Sequence, residues 1–254
     1  MNFVALGHSH VVALAKGTYA LQDRRAQDGG EPISGAFHYL YDPGFEPPFV
    51  DGAARSVLNP NIADALSDPT ARFVLTSIGG NEHNVLSIAR NRPHFDFILG
   101  EQPDLPLERG AEILPEAAIR ETILDWMSEK IAILRALRRA TSVPIVQIEP
   151  PPPLPREQVL AYPKEFFRSV IDQRKMSPDL LRRKMWRVQI GVYRDVCAEL
   201  GIAYVPTLPE MIGADGMLAT SACGKDATHA NEAYGEAMVL TALRRVTALL
   251  NVEA

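Results

Sequence analysis

Five short runs of β-favouring apolar residues, each followed by a turn and then by residues at helical spacing, leave few folds open to this chain. The runs are Phe3–Leu6, Phe37–Tyr41, Phe73–Ile78, Ile145–Ile148 and Ile202–Val205. The longest helical stretch is Glu116–Ala140, where Ile119, Ile123, Trp126, Met127, Ile131, Leu134 and Leu137 recur on one face and Pro115 suits the first turn. A second helix is expected from about Pro178 to Leu200, closed by Gly201, and a third from Asn231 to Leu250. A shorter helical pattern covers Ala53–Leu66. Strands that alternate with helices pair in parallel through right-handed crossovers. The expected fold is therefore a three-layer α/β/α domain with a doubly wound, five-stranded parallel sheet in a flavodoxin-like order. Ligands bind such sheets beyond the carboxyl ends of the strands, so the loops that follow strands are the places to look for chemistry.

Nothing in the composition divides the chain, and a single domain over residues 1–254 is expected. The stretches that interrupt the alternation, Asn91–Gly110 and the proline-rich Pro150–Ser177, read as ordered loops or lids over the carboxyl edge of the sheet. Their Phe95, Phe97, Tyr162, Phe166 and Phe167 either line an acyl or aromatic pocket or pack the loops down. No apolar run is long enough to span a bilayer, and no basic segment precedes the first apolar residues, so neither a membrane partner nor a signal peptide is expected. A cytoplasmic location follows as the default. The net charge of −5 argues against nucleic acid as a partner. One cationic stretch, Arg168 to Arg194, reads either as a solvated helix face or as a contact for an anionic partner. Cys197 and Cys223 lack any metal or redox spacing and are expected to be free thiols.

Three strand-following loops carry candidate chemistry. Gly7-His8-Ser9-His10 follows the first strand and leads into a helical pattern, so Ser9 reads as a helix cap or as a nucleophile beside N–H groups that stabilise an oxyanion. Gly79-Gly80-Asn81-Glu82-His83-Asn84 follows the third strand. In a flavodoxin-like order the first and third strands flank the switch point, so Asn81 and Ser9 would face one crevice. Asp226-Ala227-Thr228-His229 follows the fifth strand, and its spacing lets the carboxylate take the Nδ1 proton of His229 and leave Nε2 as a base.

In these motifs the chain resembles the SGNH/GDSL hydrolase superfamily of serine esterases, lipases and related acyl hydrolases, over nearly its whole length. The glycine-aspartate-serine block of that family is similar to Gly7-His8-Ser9, its glycine-any-asparagine-aspartate block to Gly79-Gly80-Asn81-Glu82, and its aspartate-any-any-histidine block to Asp226–His229. The resemblance implies a Ser9–His229–Asp226 triad and an oxyanion hole formed by the Ser9 N–H, the Asn81 amide and a second-block glycine, Gly52 or, as runner-up, Gly44. His8 and Glu82 depart from the pattern, since the family carries aspartate at both places.

The expected activity is ester hydrolysis through an acyl-enzyme, with a small-molecule or carbohydrate ester as substrate and no cofactor. His10, His83 and Glu82 are candidate substrate contacts. Although His8, His10 and His83 converge on the crevice, no carboxylate or cysteine accompanies them at ligand spacing, so no metal is expected. An O-acyltransferase with the same triad and a non-catalytic ligand-binding member of the fold are the alternatives. An α/β-hydrolase elbow is disfavoured because Val11 stands where a glycine is needed, and a dinucleotide site fails because no Gly-x-Gly-x-x-Gly follows the first strand.

Overall fold

A computed structural model describes residues 1–162 and 165–252. In chain order its elements are β1 (Asn2–Gly7), α1 (Val11–Asp28), β2 (Ser34–Tyr39), α2 (Pro60–Leu66), β3 (Val74–Ser77), α3 (Glu82–Ser87), β4 (Phe95–Asp96), β5 (Glu112–Ile113) and α4 (Glu116–Ala140). They continue with β6 (Ile145–Ile148), α5 (Arg156–Ala161), α6 (Glu165–Arg174), α7 (Asp179–Leu200), β7 (Ala203–Val205) and α8 (Glu232–Val252). The main sheet has five parallel strands in the order β2-β1-β3-β6-β7, while β4 and β5 form a separate pair. β1 and β3 lie side by side, and the chain leaves them toward opposite edges, which puts the switch point beyond Gly7 and Ser77.

Alternation along the strands separates two cores. Phe3 and Ala5, with Phe73 and Leu75 and with Val146 and Ile148, face α1 and α8. Val4 and Leu6, with Val74 and Ile145, face α4 and α7. On α4 the residues Ile119, Ile123, Met127, Ile131, Leu134 and Leu137 are all buried at helical spacing. Each such side chain contributes about 2 kcal/mol in apolar transfer. Gly201 takes the left-handed conformation (φ 62°) and closes α7, as its position in the sequence implies.

Where structure and expectation differ, local chemistry explains the difference. β2 begins at Ser34, earlier than its apolar run, because Gly35 lies against the Phe3 ring and lets a residue of low strand propensity pair with β1. The helical pattern over Ala53–Leu66 is broken: Gly52–Ala54 form one 3-10 turn, and α2 starts only at Pro60, capped by the Asn59 side chain on the Asn61 N–H. Pro150–Ser177 contains α5 and α6 and is not a plain loop. Phe97 is buried in the α4 and α7 core, Phe167 is half-buried against the α1 and α8 core, Tyr162 is exposed, and the Phe166 side chain lies outside the described residues. The cationic stretch divides: Arg168, Arg174 and Lys175 are exposed, whereas several cations of α7 are partnered inside the protein. Lys184 is buried on Asp96, 3.0 Å away, and on two carbonyls, and buried Arg182 donates to Asp179 and Leu154 O. Arg187 and Arg194 pair with Glu101 and Glu149. These cations tie α7 to the loops at the carboxyl edge. Cys197 and Cys223 are both free and buried. Among the described residues no helix is long and apolar enough to cross a membrane.

α1 and α8 cross with their backbones in direct contact. A β-carbon on Gly17 would lie 2.1 Å from the Glu236 backbone nitrogen, and one on Gly235 would lie 1.9 Å from the Ala13 carbonyl oxygen. The two glycines let the backbones touch, and an Arg24–Glu236 ion pair flanks the crossing. Gly17→Ala or Gly235→Ala is therefore expected to force the helices apart and lower unfolding stability by about 1–3 kcal/mol, measured by urea denaturation. An unchanged midpoint would show that the crossing tolerates a side chain.

Candidate active site

The turn after β1 is shaped by a glycine. A β-carbon at Gly7 would lie 2.1 Å from Ser77 Oγ, so only glycine lets β1 and β3 end this close together. The chain then turns through His8 and Ser9, with the Val11 N–H on His8 O and the Val12 N–H on Ser9 O, and enters α1 at His10. No side-chain hydrogen bond caps α1, so Ser9 is not a helix cap. Its hydroxyl oxygen instead receives Asn81 Nδ2 at 3.4 Å.

Asn81 is held by a turn that needs both of its glycines. Gly79 and Gly80 have φ of 70° and 113°, which strain any residue with a β-carbon. Both N–H groups are occupied: Gly79 donates to His8 Nδ1 at 2.9 Å, and Gly80 donates to Glu82 Oε2 at 2.9 Å. α7 clamps the turn from outside. Gln189 accepts the His83 N–H at 2.7 Å and donates to Glu82 Oε2 at 2.7 Å, and the Tyr193 hydroxyl donates to Ile78 O at 2.6 Å. Asn84 Nδ2 donates to Asn81 Oδ1 at 3.1 Å, which turns the amide NH2 of Asn81 toward Ser9.

The departures from the family pattern acquire a meaning here. His8 gives the Gly79 N–H an acceptor, the hydrogen-bonding capacity a carboxylate would bring, through a neutral ring. Burial, with Lys130 nearby, lowers its pKa to about 4. Glu82 is buried and turned into α7, where it supports the turn; burial raises its pKa. His83 is fully buried, its Nδ1 2.9 Å from Gln189 Oε1, and burial lowers its pKa to about 3. It too faces the protein interior and does not line the cavity beside Ser9. His10 is buried with its ring centroid 5.0 Å from that of His229 and against Gly80, so it backs the base instead of facing open space. Its pKa is driven well below the ordinary histidine value, first by burial and then by His229.

The third loop is pinned at both ends, by a bridge between Cys223 and Ala230 and by the Gly224 N–H on His229 O at 2.8 Å. Inside it Asp226 does two jobs. Oδ1 accepts the N–H groups of Thr228 and His229 at 2.9 and 2.8 Å, and Oδ2 takes His229 Nδ1 at 2.8 Å. Burial alone would raise the Asp226 pKa, but these hydrogen bonds hold the carboxyl well below the usual carboxylate range. The network assigns the ring proton to Nδ1 and leaves a lone pair on Nε2. That nitrogen is buried and has no hydrogen-bond partner among the described residues.

Ser9, Asp226 and His229 line one cavity of about 540 Å³ together with Tyr39, Lys16 and Lys225. Ser9 and His229 are not hydrogen-bonded in this conformation, and such contacts often tighten only when substrate is present. Gly52 and Gly44 do not line this cavity. Gly52 is exposed in a turn fastened to α4 by Arg55 on Ser128, and the Gly44 carbonyl accepts from Asn61, because the 42–58 loop folds outward onto α2 and α4. None of Phe95, Phe97, Tyr162 and Phe167 lines it either. Asn84, Gln189 and Tyr193 were not anticipated. Asn84 has a faint signal, an asparagine three residues after Asn81, whereas Gln189 and Tyr193 are polar groups on a helix face that reads as core. Among the described residues no three His, Cys, Asp or Glu side chains are grouped as a metal site.

No family model and no curated protein matches this sequence. Solved structures do match. A structure described as an acylhydrolase, from Bacteroides fragilis, is 10% identical with a TM-score of 0.51, covering 98% of this chain and 88% of its own. The periplasmic domain of a lipopolysaccharide acetyltransferase from Salmonella ser. Paratyphi A is 15% identical with a TM-score of 0.51, over 97% of this chain and 83% of its own. With the sheet order described above, the likeness to these structures is one of fold, a three-layer α/β/α domain with a five-stranded parallel sheet.

The buried neutral histidines make stability acid-sensitive with a defined sign. At pH 6.5 and below the unfolded chain protonates His8 while the folded one does not until about pH 4, so stability is whole above 6.5 and is lost as pH falls through this window. The loss from His8 alone is about 3 kcal/mol. Glu82, raised by burial, works in the opposite direction, so the measurement is a difference between urea-unfolding curves. His8→Asn, which keeps an acceptor for Gly79, is expected to flatten the decline; an unchanged slope would contradict a buried neutral His8.

Proposed function

We propose that this protein is a serine ester hydrolase whose nucleophile is Ser9. The observation that carries the proposal is the cavity lined by both Ser9 and His229, whose imidazole is fixed by Asp226 and whose Nε2 has no hydrogen-bond partner among the described residues. His229 Nε2 removes the Ser9 hydroxyl proton as Oγ attacks the ester carbonyl carbon. The carbonyl oxygen becomes an oxyanion and is held by the Ser9 N–H and by the Asn81 amide, which Asn84 aims. The C–O bond to the alcohol then breaks, and imidazolium His229 returns its proton to the departing oxygen. Water repeats the sequence on the acyl-enzyme, releasing the acid and restoring Ser9. Asp226 stays ionised, keeps the proton on Nδ1 and balances the transient imidazolium.

A second reading has its own support, since an acetyltransferase domain is among the similar structures. A sugar hydroxyl in place of water in the second half-reaction would give an acylated product through the same residues. Incubation with an acyl donor with and without sugar acceptors, followed by mass spectrometry, separates the two: hydrolysis predicts free acid and no acylated sugar.

Ser9→Ala is expected to abolish hydrolysis of p-nitrophenyl acetate while circular dichroism stays that of the folded protein. Asn81→Ala is expected to lower kcat by about 100- to 1000-fold with little change in KM, as for loss of one oxyanion donor. Full activity in Ser9→Ala would end the serine mechanism.

A further inference from the structure

The cavity beside Ser9 points to the part of the substrate that this protein recognises, on the reading that Ser9 is the nucleophile. Acyl transfer sets a direction: the carbonyl oxygen must lie toward the oxyanion donor Asn81, and the leaving oxygen toward His229 Nε2, which protonates it. Asn81 is not part of the wall of the 540 Å³ cavity, whereas His229 is. The large space is therefore on the alcohol side of the ester, and the acyl group extends away from it.

Among the described residues two cations line that space. Ser9, Val12, Ala13 and Lys16 succeed one another at spacings of one helical face, so a stripe of α1 runs from the nucleophile to Lys16, about 10 Å along the axis. Lys225, also in the cavity wall, adjoins Asp226 on the third loop. Both lysines are exposed, and neither forms an ion pair among the described residues. Of the acids on the same wall, Asp226 is committed to His229. Glu232 stands in the first turn of α8, where the positive end of the helix offsets its charge. The remaining wall is Tyr39 and small residues, which suit a ring or a short chain between the ester and the cations.

We infer that the alcohol half of the substrate is its large and recognised half, and that it carries an anionic oxyacid group which Lys16 and Lys225 bind roughly two helical turns from the ester carbon. The acyl half is the small one.

The test uses two acetate esters of the same phenol, one with a para propanoate tail and one with the neutral propanamide tail. The wild-type protein is expected to prefer the propanoate ester by about five- to tenfold in kcat/KM at low salt, with the preference fading at high salt. Lys16→Ala together with Lys225→Ala is expected to bring the ratio to about one. Equal rates for both esters in the wild-type protein, or a preference that survives loss of both lysines, would overturn the inference. The serine reading fails separately, by Ser9→Ala turning over both esters as the wild type does. Binding of the free para-hydroxyphenyl propanoate to Ser9→Ala protein, followed by ligand-detected NMR, examines the cation site without chemistry. Binding that needs both lysines supports the site, and no binding, or binding that ignores them, rejects it.

Discussion

Two helices begin at the candidate site and cross shortly afterwards with no side chain between them. Gly17 on α1 meets the backbone of Glu236, and Gly235 on α8 meets the carbonyl of Ala13. Ser9 precedes α1 and His229 precedes α8, so the distance between the proposed nucleophile and its proposed base is set by how closely two backbones can pack. Apolar burial drives the helices onto one face of the sheet, with Leu14 and Leu21 on α1 and Met238, Val239, Ala242 and Val246 on α8. That force is not directional, however, and the glycines convert it into a fixed separation. A methyl group at either position would be felt at the site, because interiors are packed too densely to absorb it.

The oxyanion side is fixed differently, by hydrogen bonds in a dry environment. Both N–H groups of Gly79-Gly80 are consumed by His8 and Glu82, and Gln189 and Tyr193 reach in from α7 to hold what remains. The effect is to aim one amide, that of Asn81, at Ser9 before any substrate arrives. Donors already oriented toward a developing charge need no reorganisation during the reaction, which is where such sites gain most of their rate. The cost is visible in three histidines kept neutral by burial and a carboxyl pushed up by burial.

The sheet, its order and the long helices were legible in the sequence because strand and helix periodicities differ and glycine and proline mark their ends. Asp226 and His229 were legible for a related reason: a spacing of three within one turn is local, so the pair forms wherever the loop goes. What was not legible was long-range. Gly52 is the better placed by position and Gly44 the runner-up, but the 42–58 loop folds onto α2 and α4 and takes both away from the cavity. His10, His83 and Glu82 stand beside Ser9 and Asn81 in sequence, yet helix geometry turns them inward. Gln189 and Tyr193, more than a hundred residues from the turn they hold, carry no sequence sign of that task. The cationic run of α7 is likewise spent on internal pairs, which only the packing of the 91–114 segment reveals.

All of this converges on the claim that Ser9 is a hydroxyl activated by His229. Incubation with a fluorophosphonate followed by peptide mapping reads that claim directly, because the reagent labels a serine only where a base raises its nucleophilicity. The account predicts one adduct, on Ser9, formed rapidly in the wild-type protein and slowed by orders of magnitude in His229→Ala. No adduct, or an adduct on Ser9 that forms equally fast without His229, would contradict it.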